Sequence, residues 1–552
     1  METFPSASGR YKMKAAGIDP IEIDMKELET LLERARAGPL SEEEHQKLKA
    51  AIATLGYLVD LIEEKGTTIQ ELRQLLFGRT TEKTRTVLED AGVKPPPSDQ
   101  ERQAAESSPK PKPKGHGRNG ADAYRGGERI KVGHKNLKPG DRCPGCLKGR
   151  VYRLQDPSPL IRIVGRPPIH AKVYERENLR CNLCLEVFTA EPPEGVGLEK
   201  YDATAGSMIA LLKYGTGMPF HRLGRLQQSF GIPLPPSTQW EIVAEIADEI
   251  KPVYEELIRQ AAQGEVLHND DTLMTVLALN GRKVPREKGE RTGVFTTGVV
   301  STREGRKIAL FFTGPKHAGE NLADVLARRA AELGSPIQMC DGLDRNLPKD
   351  FEVILANCTA HARRYFVNVV ENFPEECRYV LEKLGEVYKN DAVTREQRMS
   401  PEERLRFHQV HSRPVMEELQ KWLTKQLVDK LVEPNSGLGR AITYFLKRWE
   451  PLTLFLRQAG APLDNNITER ALKKAIQHRK NSLFFKTMNG ARVGDTFMSL
   501  IHTCELSGAN PFDYLTELLR HRNELKRAPQ DWMPWNYRQA IDPGAPSTGP
   551  PE

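Results

Sequence analysis

Cysteine is scarce in this sequence, with eight residues in 552, too few for a fold stapled by disulfides. No apolar run approaches the length of a membrane span, and the opening stretch METFPSASGRYKMK has no apolar signal-peptide core. These absences exclude the secreted disulfide scaffold and the helical membrane protein, and the expected location is cytoplasmic. A hydrophobic content of 38% beside 28% charged residues fits a soluble chain with extended polar segments. At this length one compact core is not expected, so several domains are.

What is present is unevenly distributed charge. The whole chain carries +7, yet Lys110–Arg150 holds twelve Lys and Arg against Asp122, Glu128 and Asp141, a local excess of +9. A cationic tract with Gly and Pro reads as a nucleic-acid arm, with Lys112, Lys114 and Arg118 as candidate phosphate contacts, or as a solvated linker.

Leu48, Leu55, Ile62, Ile69 and Leu76 recur every seven residues, with Ile52 and Val59 at companion positions, which predicts a short coiled coil or helical hairpin over 41–78. Gly66 interrupts that seam. Residues 93–120 have the Pro, Ser and charge content of a segment too polar to order itself.

Four of the eight cysteines form two CxxC pairs, Cys143 with Cys146 and Cys181 with Cys184. Four thiolates at this spacing make a closed tetrahedral site for structural zinc. The 34 residues between the pairs favour a ribbon with strands between its knuckles over a compact finger. Residues 200–262 then read as helices, with Thr238 and Glu241 spaced as a capping box; they suit either a helix-turn-helix reader or an ordinary helical packing unit.

From 265 onward three strand-like runs, a helical run at 319–333, the strand PIQMC, the strand FEVILANC and the helix TAHARRYFVNVVENF follow one another. That order is the order of a ribonuclease-H-like sheet. Such a sheet places one acid on the first strand, one at the end of the fourth and one on a late helix; Asp270, Asp341 and Glu469 occupy those places. Local alternatives exist for each: a strand-end polar residue, a turn former before Gly342, and a helix cap, since Asn466 and Glu469 also have capping-box spacing. Together, three carboxylates suffice to hold two Mg²⁺ (or Mn²⁺) ions, which phosphodiester transfer uses to stabilise the attacking and leaving oxygens. Asn466, Lys473 and Lys480 fall near the Glu469 face of a helix, and Arg479 extends that cationic tract. His361, Arg363 and Arg364 either contact DNA near the site or form salt bridges on a helix surface.

The motifs LLFGRTTEK, GHGR, the paired CxxC module, LHNDDT, CDG, AHARRYF and DNNITERAL with RKN resemble those of the insertion-sequence-66 family of transposases, which are DDE-type enzymes acting on DNA. The resemblance implies Asp270, Asp341 and Glu469 as first, second and third metal ligands. It covers most of the chain, departing where Asn269-Asp270-Asp271-Thr272 replaces the family's more usual Ala-Asp-Glu-Thr. Period-two alternation puts Asp270 and Asp271 on opposite strand faces, so only one of them can enter the site.

The expected architecture is therefore multidomain α/β: a ribonuclease-H-like catalytic core, built on a mixed five-stranded sheet with flanking helices, carries a helical insertion and follows an N-terminal coiled-coil helix and a zinc-ribbon-like module. Its expected segments are a disordered 1–40, a helical 41–92, a disordered basic linker 93–128, a zinc-binding and DNA-binding module 129–195 and a helical domain 200–262. After these come the first part of the core at 263–372, the insertion at 373–460, the last core helix at 461–490, a helical segment at 491–535 and a disordered tail at 536–552. The implied partners are double-stranded DNA, both element ends and target, a second copy of the chain to pair the ends, and accessory proteins of the same element; no membrane is implied, and the location becomes nucleoid-associated. A zinc-containing DNA-binding regulator without catalysis, or a ribonuclease-H-type nuclease or resolvase, are the alternative readings.

Overall fold

The computed structural model describes residues 41–49, 136–152, 167–180, 187–197, 199–279 and 293–544, together with isolated positions elsewhere. The chain divides into two compact units, Met1–Gly92 and Val93–Glu552. In the first, a helix over 42–49 starts at Ser41, whose amide donates to Glu44 Oε2 (2.9 Å) while the Glu44 amide donates back to Ser41 Oγ (3.3 Å). The heptad positions from Ile52 to Leu76 lie outside the described residues.

In the second unit, Arg142 and Arg150 form an isolated antiparallel bridge around the CPGC turn, where Leu147 takes a left-handed φ of 58°. The short strands β1 (Asn178–Arg180) and β2 (Val187–Thr189) pair antiparallel. Four helices follow: α1 (Ala203–Ala210), α2 (Phe220–Ser229), α3 (Pro236–Glu249) and α4 (Lys251–Ala261). The capping box expected at Thr238 and Glu241 does not form. The helix starts earlier, at Pro236, whose fixed φ and missing N–H suit a first helical position.

Helices α1 to α4 share their core with the sheet and the later helices. Ile209, Tyr214, Val243, Ile250 and Leu257 join Phe311, Phe497 and Leu515 in one continuous core. Their apolar faces are completed by the sheet and by helices nearly 300 residues later.

The central sheet contains β3 (Val266–Met274), β4 (Val294–Arg303), β5 (Arg306–Gly314), β6 (Ile337–Cys340) and β7 (Ile354–Asn357), with α5 (Ala318–Leu326) between β5 and β6. The spatial order is β5-β4-β3-β6-β7; the first three strands are antiparallel and β6 and β7 run parallel to β3. The mixed five-stranded sheet expected from the sequence is present.

Helix α6 (Thr359–Val369) leaves β7 and leads into α7 (Pro374–Glu396), α8 (Pro401–His411), α9 (Arg413–Val428), α10 (Gly437–Lys447) and α11 (Trp449–Leu452). The chain then returns to the sheet as α12 (Asn466–Ser482) and α13 (Met488–Leu506), followed by α14 (Pro511–Arg520), α15 (Arg522–Leu525) and α16 (Tyr537–Ile541). Helix α16 corrects the expectation of a disordered tail from 536. Tyr537 is buried and meets the Tyr514 ring edge-on at 5.1 Å, while Tyr514 Oη donates to the Trp532 carbonyl (2.8 Å). Among the described residues no helix is long and apolar enough to cross a membrane.

Strand β5 is a sheet edge, and its outward amides need partners. Helix α13 supplies them from one face. Asp495 Oδ2 accepts from Thr313 N (2.6 Å), Ser499 Oγ from Phe311 N (2.9 Å) and Thr503 Oγ1 from Ala309 N (3.1 Å). The helical spacing of four matches alternate amides two residues apart along the strand, so a polar stripe on an otherwise apolar helix seals the edge.

Candidate active site

Parallel pairing of β3 with β6 aligns His268 with Met339. The same register continued two residues along both chains brings Asp341 opposite Asp270. Cys340 pairs in turn with Asn357, so Cys358 comes next to Asp341, and the Cys358 amide donates to the Cys340 carbonyl (3.0 Å). Neighbouring chain ends thus carry two acids and a thiol to one end of the sheet.

The adjacent aspartates separate as alternation requires. Asp271 faces α5, where its Oδ2 lies 3.0 Å from His317 Nδ1 and its Oδ1 3.1 Å from Arg345 Nη2. Asp270 faces the other acids. Burial pushes its carboxyl up to about 7, and the charge of Asp341 adds to this, followed by those of Asp271 and Glu469, while the Asp271 amide opposes it.

Asp341 is buried and held by a polar network. Its Oδ1 accepts from Asn346 Nδ2 and from Leu343 N (3.2 Å). The Asn346 carbonyl accepts from Asn269 Nδ2 (2.8 Å) and Gln338 Nε2 (2.6 Å), and Gln338 Nε2 also donates to Asn269 Oδ1 (2.8 Å). Asn269, the departure noted in LHNDDT, therefore braces the turn that carries the second acid. Gly342 closes that turn against the insertion: a Cβ there would sit 2.1 Å from Arg448 Nε, and Arg448 Nη2 donates to the Gly342 carbonyl (2.8 Å). Arg448 also lies over the Tyr444 ring (4.2 Å), which stacks on Tyr365 of α6 (4.3 Å).

Glu469 arrives on α12, which packs closely on β3 and β4. Gly298, the β4 partner of Asp270, permits this: its Cβ would lie 3.0 Å from Leu472 Cδ2. The capping box of Asn466 with Glu469 is absent, because the helix is capped at Asn465 without a side-chain bond. The freed carboxylate turns toward α6, with Oε1 3.7 Å from His361 Nδ1 and Oε2 3.9 Å from Arg364 Nη2. Those are ion-pair distances beyond hydrogen-bond range, and Glu469 Oε1 is buried without a hydrogen-bond partner.

Sequence reasoning selected Asn466 and missed its neighbour. Asn465 is buried and reaches both β3 and the start of α6: its Oδ1 is 3.2 Å from His268 Nδ1, its Nδ2 donates to the Asn269 carbonyl (3.2 Å) and its amide donates to Cys358 Sγ (3.2 Å). The doubled amide in LDNN was the available signal; helix phase decides which one turns inward.

Of the expected DNA contacts, Lys473 and Lys480 are exposed, Asn466 is half-buried, and His361 and Arg364 line the Glu469 carboxylate. Two others are tied within the fold. Arg363 is buried, and its charge acts on Tyr388 of the insertion rather than facing solvent. Arg479 Nη1 donates to Thr272 Oγ1 (3.2 Å) and to the Leu273 carbonyl, tying α12 to the end of β3. Lys112, Lys114, Arg118 and Cys181 lie outside the described residues. At the first knuckle the Gly149 amide donates to Cys146 Sγ (3.4 Å); that bond, with help from the Lys148 amide, draws the exposed thiol below its ordinary value.

The insertion is anchored beside the same site. Asp391 is buried; burial would raise its carboxyl, but a hydrogen bond from His408 and the charges of Arg404 and Arg395 hold it well below the carboxylate range. Arg404 Nη2 lies 2.7 Å from Asp391 Oδ1, and Arg404 Nη1 donates to the Ala461 carbonyl (2.7 Å), just before the segment carrying Asn465.

A family model described as "Transposase IS66 family" matches residues 200–493, a span that includes the sheet, all three acids and the insertion. The chain is 26% identical over 420 residues to the uncharacterized protein y4jD of Sinorhizobium fredii (strain NBRC 101917 / NGR234), covering 73% of this chain and 79% of that one. It is also 26% identical over 435 residues to y4hP of the same organism, covering 73% and 75%.

Proposed function

Because this chain belongs to the IS66 family of transposases, we propose that it cuts and joins DNA at the ends of its own insertion sequence with Asp270, Asp341 and Glu469 as a DDE triad on a ribonuclease-H-like core. The observation that carries this reading is the convergence of the acids at one end of the sheet: the β3–β6 register sets Asp341 opposite Asp270, and α12 brings Glu469 against β4 at Gly298, the partner of Asp270, with burial and the neighbouring carboxylates raising the Asp270 carboxyl. Confining like charges is costly unless a cation joins them, and the partnerless Glu469 Oε1 is an acceptor awaiting one.

The donors fit Mg²⁺ or Mn²⁺, since they are carboxylate oxygens near a polar surface. Two such ions, when bound, supply charge for the attacking and leaving oxygens and lower the pKa of the attacking water. The protein's own residues fix the arrangement. Asn346 and the Leu343 amide orient Asp341, Asn465 locks the start of α12 to β3, and His361 and Arg364 offer cationic or hydrogen-bonding groups to a phosphate beside Glu469. Lys473 and Lys480 extend the contact along the DNA backbone. The first step is hydrolysis at the terminal inverted repeats, freeing 3′-hydroxyls; the second directs each hydroxyl at a target phosphodiester, and neither needs a covalent protein–DNA link.

Cys143, Cys146, Cys181 and Cys184 form the structural zinc module in this reading, supported by the amide–thiol bond at Cys146. Paired ends require at least two protomers, and accessory proteins of the same element complete the assembly. The test is strand joining by purified protein with end-sequence DNA and Mg²⁺. Wild type joins the strands and Glu469→Gln does not; equal joining by both rejects the assignment of Glu469.

A further inference from the structure

Cys358, His361 and Glu469 bring one ligand atom each to within 4.8 Å of one another. The thiol and imidazole come from the first turn of α6 and the junction before it, and the carboxylate from α12. A tetrahedral zinc holds sulfur at about 2.3 Å and nitrogen or oxygen at about 2.0–2.2 Å, which separates its ligand atoms by about 3.3–3.7 Å. His361 Nδ1 and Glu469 Oε1 already stand 3.7 Å apart. No pair stands more than 4.8 Å apart, so a contraction of at most about 1.5 Å, of the size side-chain rotation supplies, closes the triangle.

The donor types differ from those of the Mg²⁺ site. Magnesium accepts hard oxygen ligands, whereas a thiolate with an imidazole selects zinc or another borderline-soft cation. Two further features favour occupancy. Glu469 Oε1 is buried and has no hydrogen-bond partner, and Cys358 Sγ is oriented by the Asn465 amide at 3.2 Å.

We propose that Cys358, His361 and Glu469 form a second metal site that takes Zn²⁺ rather than Mg²⁺ and, by holding Glu469, switches off the DNA chemistry. The consequence for activity rests on the reading of Glu469 as a catalytic acid; the binding itself does not. On binding, the Cys358 thiol releases one proton to solvent and its thiolate bonds to the cation, with no change of oxidation state. Glu469 can serve only one cation at a time in this geometry, so zinc and catalytic magnesium compete for it.

Co²⁺ titration of the full chain without DNA tests the site, because each cobalt–thiolate bond absorbs in the near ultraviolet. The paired CxxC motifs contribute alike to wild type and to Cys358→Ala, so the difference spectrum isolates Cys358. The expected result is a one-thiolate band in wild type that vanishes in Cys358→Ala and needs roughly tenfold more cobalt in His361→Ala, a variant at a partly exposed position that preserves the core. Identical titrations of all three proteins overturn the proposal. In the joining assay, with each protein compared with its own zinc-free rate, Cys358→Ala should need roughly tenfold or more zinc for half-inhibition. Unchanged zinc sensitivity removes the switch. A normal cobalt band in a wild type that joins no DNA supports the site and instead counts against the transposase reading of Glu469.

Discussion

Asn465 Oδ1 lies 3.2 Å from His268 Nδ1, and the same side chain donates to the carbonyl of Asn269, the residue before Asp270. One amide therefore sets the spacing between the strand that carries the first acid and the helix that carries the third. Replacing it with alanine leaves a buried carbonyl and a buried imidazole without partners, a loss of roughly 1–3 kcal/mol. Asn465→Ala should unfold at lower denaturant with an unchanged slope, and should lose strand joining under conditions where it is fully folded. Full joining would show that the clamp does not position Glu469.

The Asp270 carboxyl gives the site a pH dependence with a definite sign. Its folded value is raised to about 7, so without metal its contribution to stability is complete below the unfolded carboxylate range and is lost as pH rises through about 7. Metal binding runs the opposite way, since a proton on Asp270 competes with the cation. Half-saturation by Mg²⁺ should require about tenfold more metal at pH 6 than at pH 8. An equal requirement at both pH values contradicts the coupling of the acids.

Strand β5 relies on α13 for three buried amide partners. Ser499→Ala and Thr503→Ala should each cost roughly 1–3 kcal/mol by leaving Phe311 N or Ala309 N unpaired. Asp495 is buried and its carboxyl is pushed up to about 7, so its favourable contribution is also present in acid and fades as pH rises through about 7. Asp495→Asn should flatten that part of the stability profile, read from denaturant midpoints between pH 5 and 8. A profile as steep as that of wild type assigns the dependence elsewhere.

Gly298 sets how closely α12 approaches the sheet, because Leu472 Cδ2 would lie 3.0 Å from any Cβ there. Gly298→Val should push the helix outward, at roughly 1–3 kcal/mol of overpacking, and reduce joining more than DNA binding. Equal loss of both would point to general unfolding instead.

Much of the site was legible because the elements that carry it are strongly patterned. The run LHNDDT alternates across a strand, which put Asp270 and Asp271 on different faces; the structure then sends Asp271 to His317 and Arg345. The same alternation could not say which face was which, since that depends on where α12 and α5 pack. Glu469 carried a local capping signal that lost to tertiary context when the cap fell on Asn465. Arg363 and Arg479 read as surface cations, and only the fold reveals that one is buried and the other ties α12 to β3. For the helices from 203 to 261 periodicity identifies an apolar face but not its partner, which here includes Phe497 and Leu515. Likewise Tyr537 becomes helical through contact with Tyr514.

Electron paramagnetic resonance of Mn²⁺ in the complex with end-sequence DNA offers the sharpest view of whether the three acids share cations. Wild type should show the exchange-coupled signal of two ions a few ångströms apart, and Asp270→Asn and Glu469→Gln should each reduce it to isolated ions or none. A coupled pair that persists in Glu469→Gln would contradict the account at its centre.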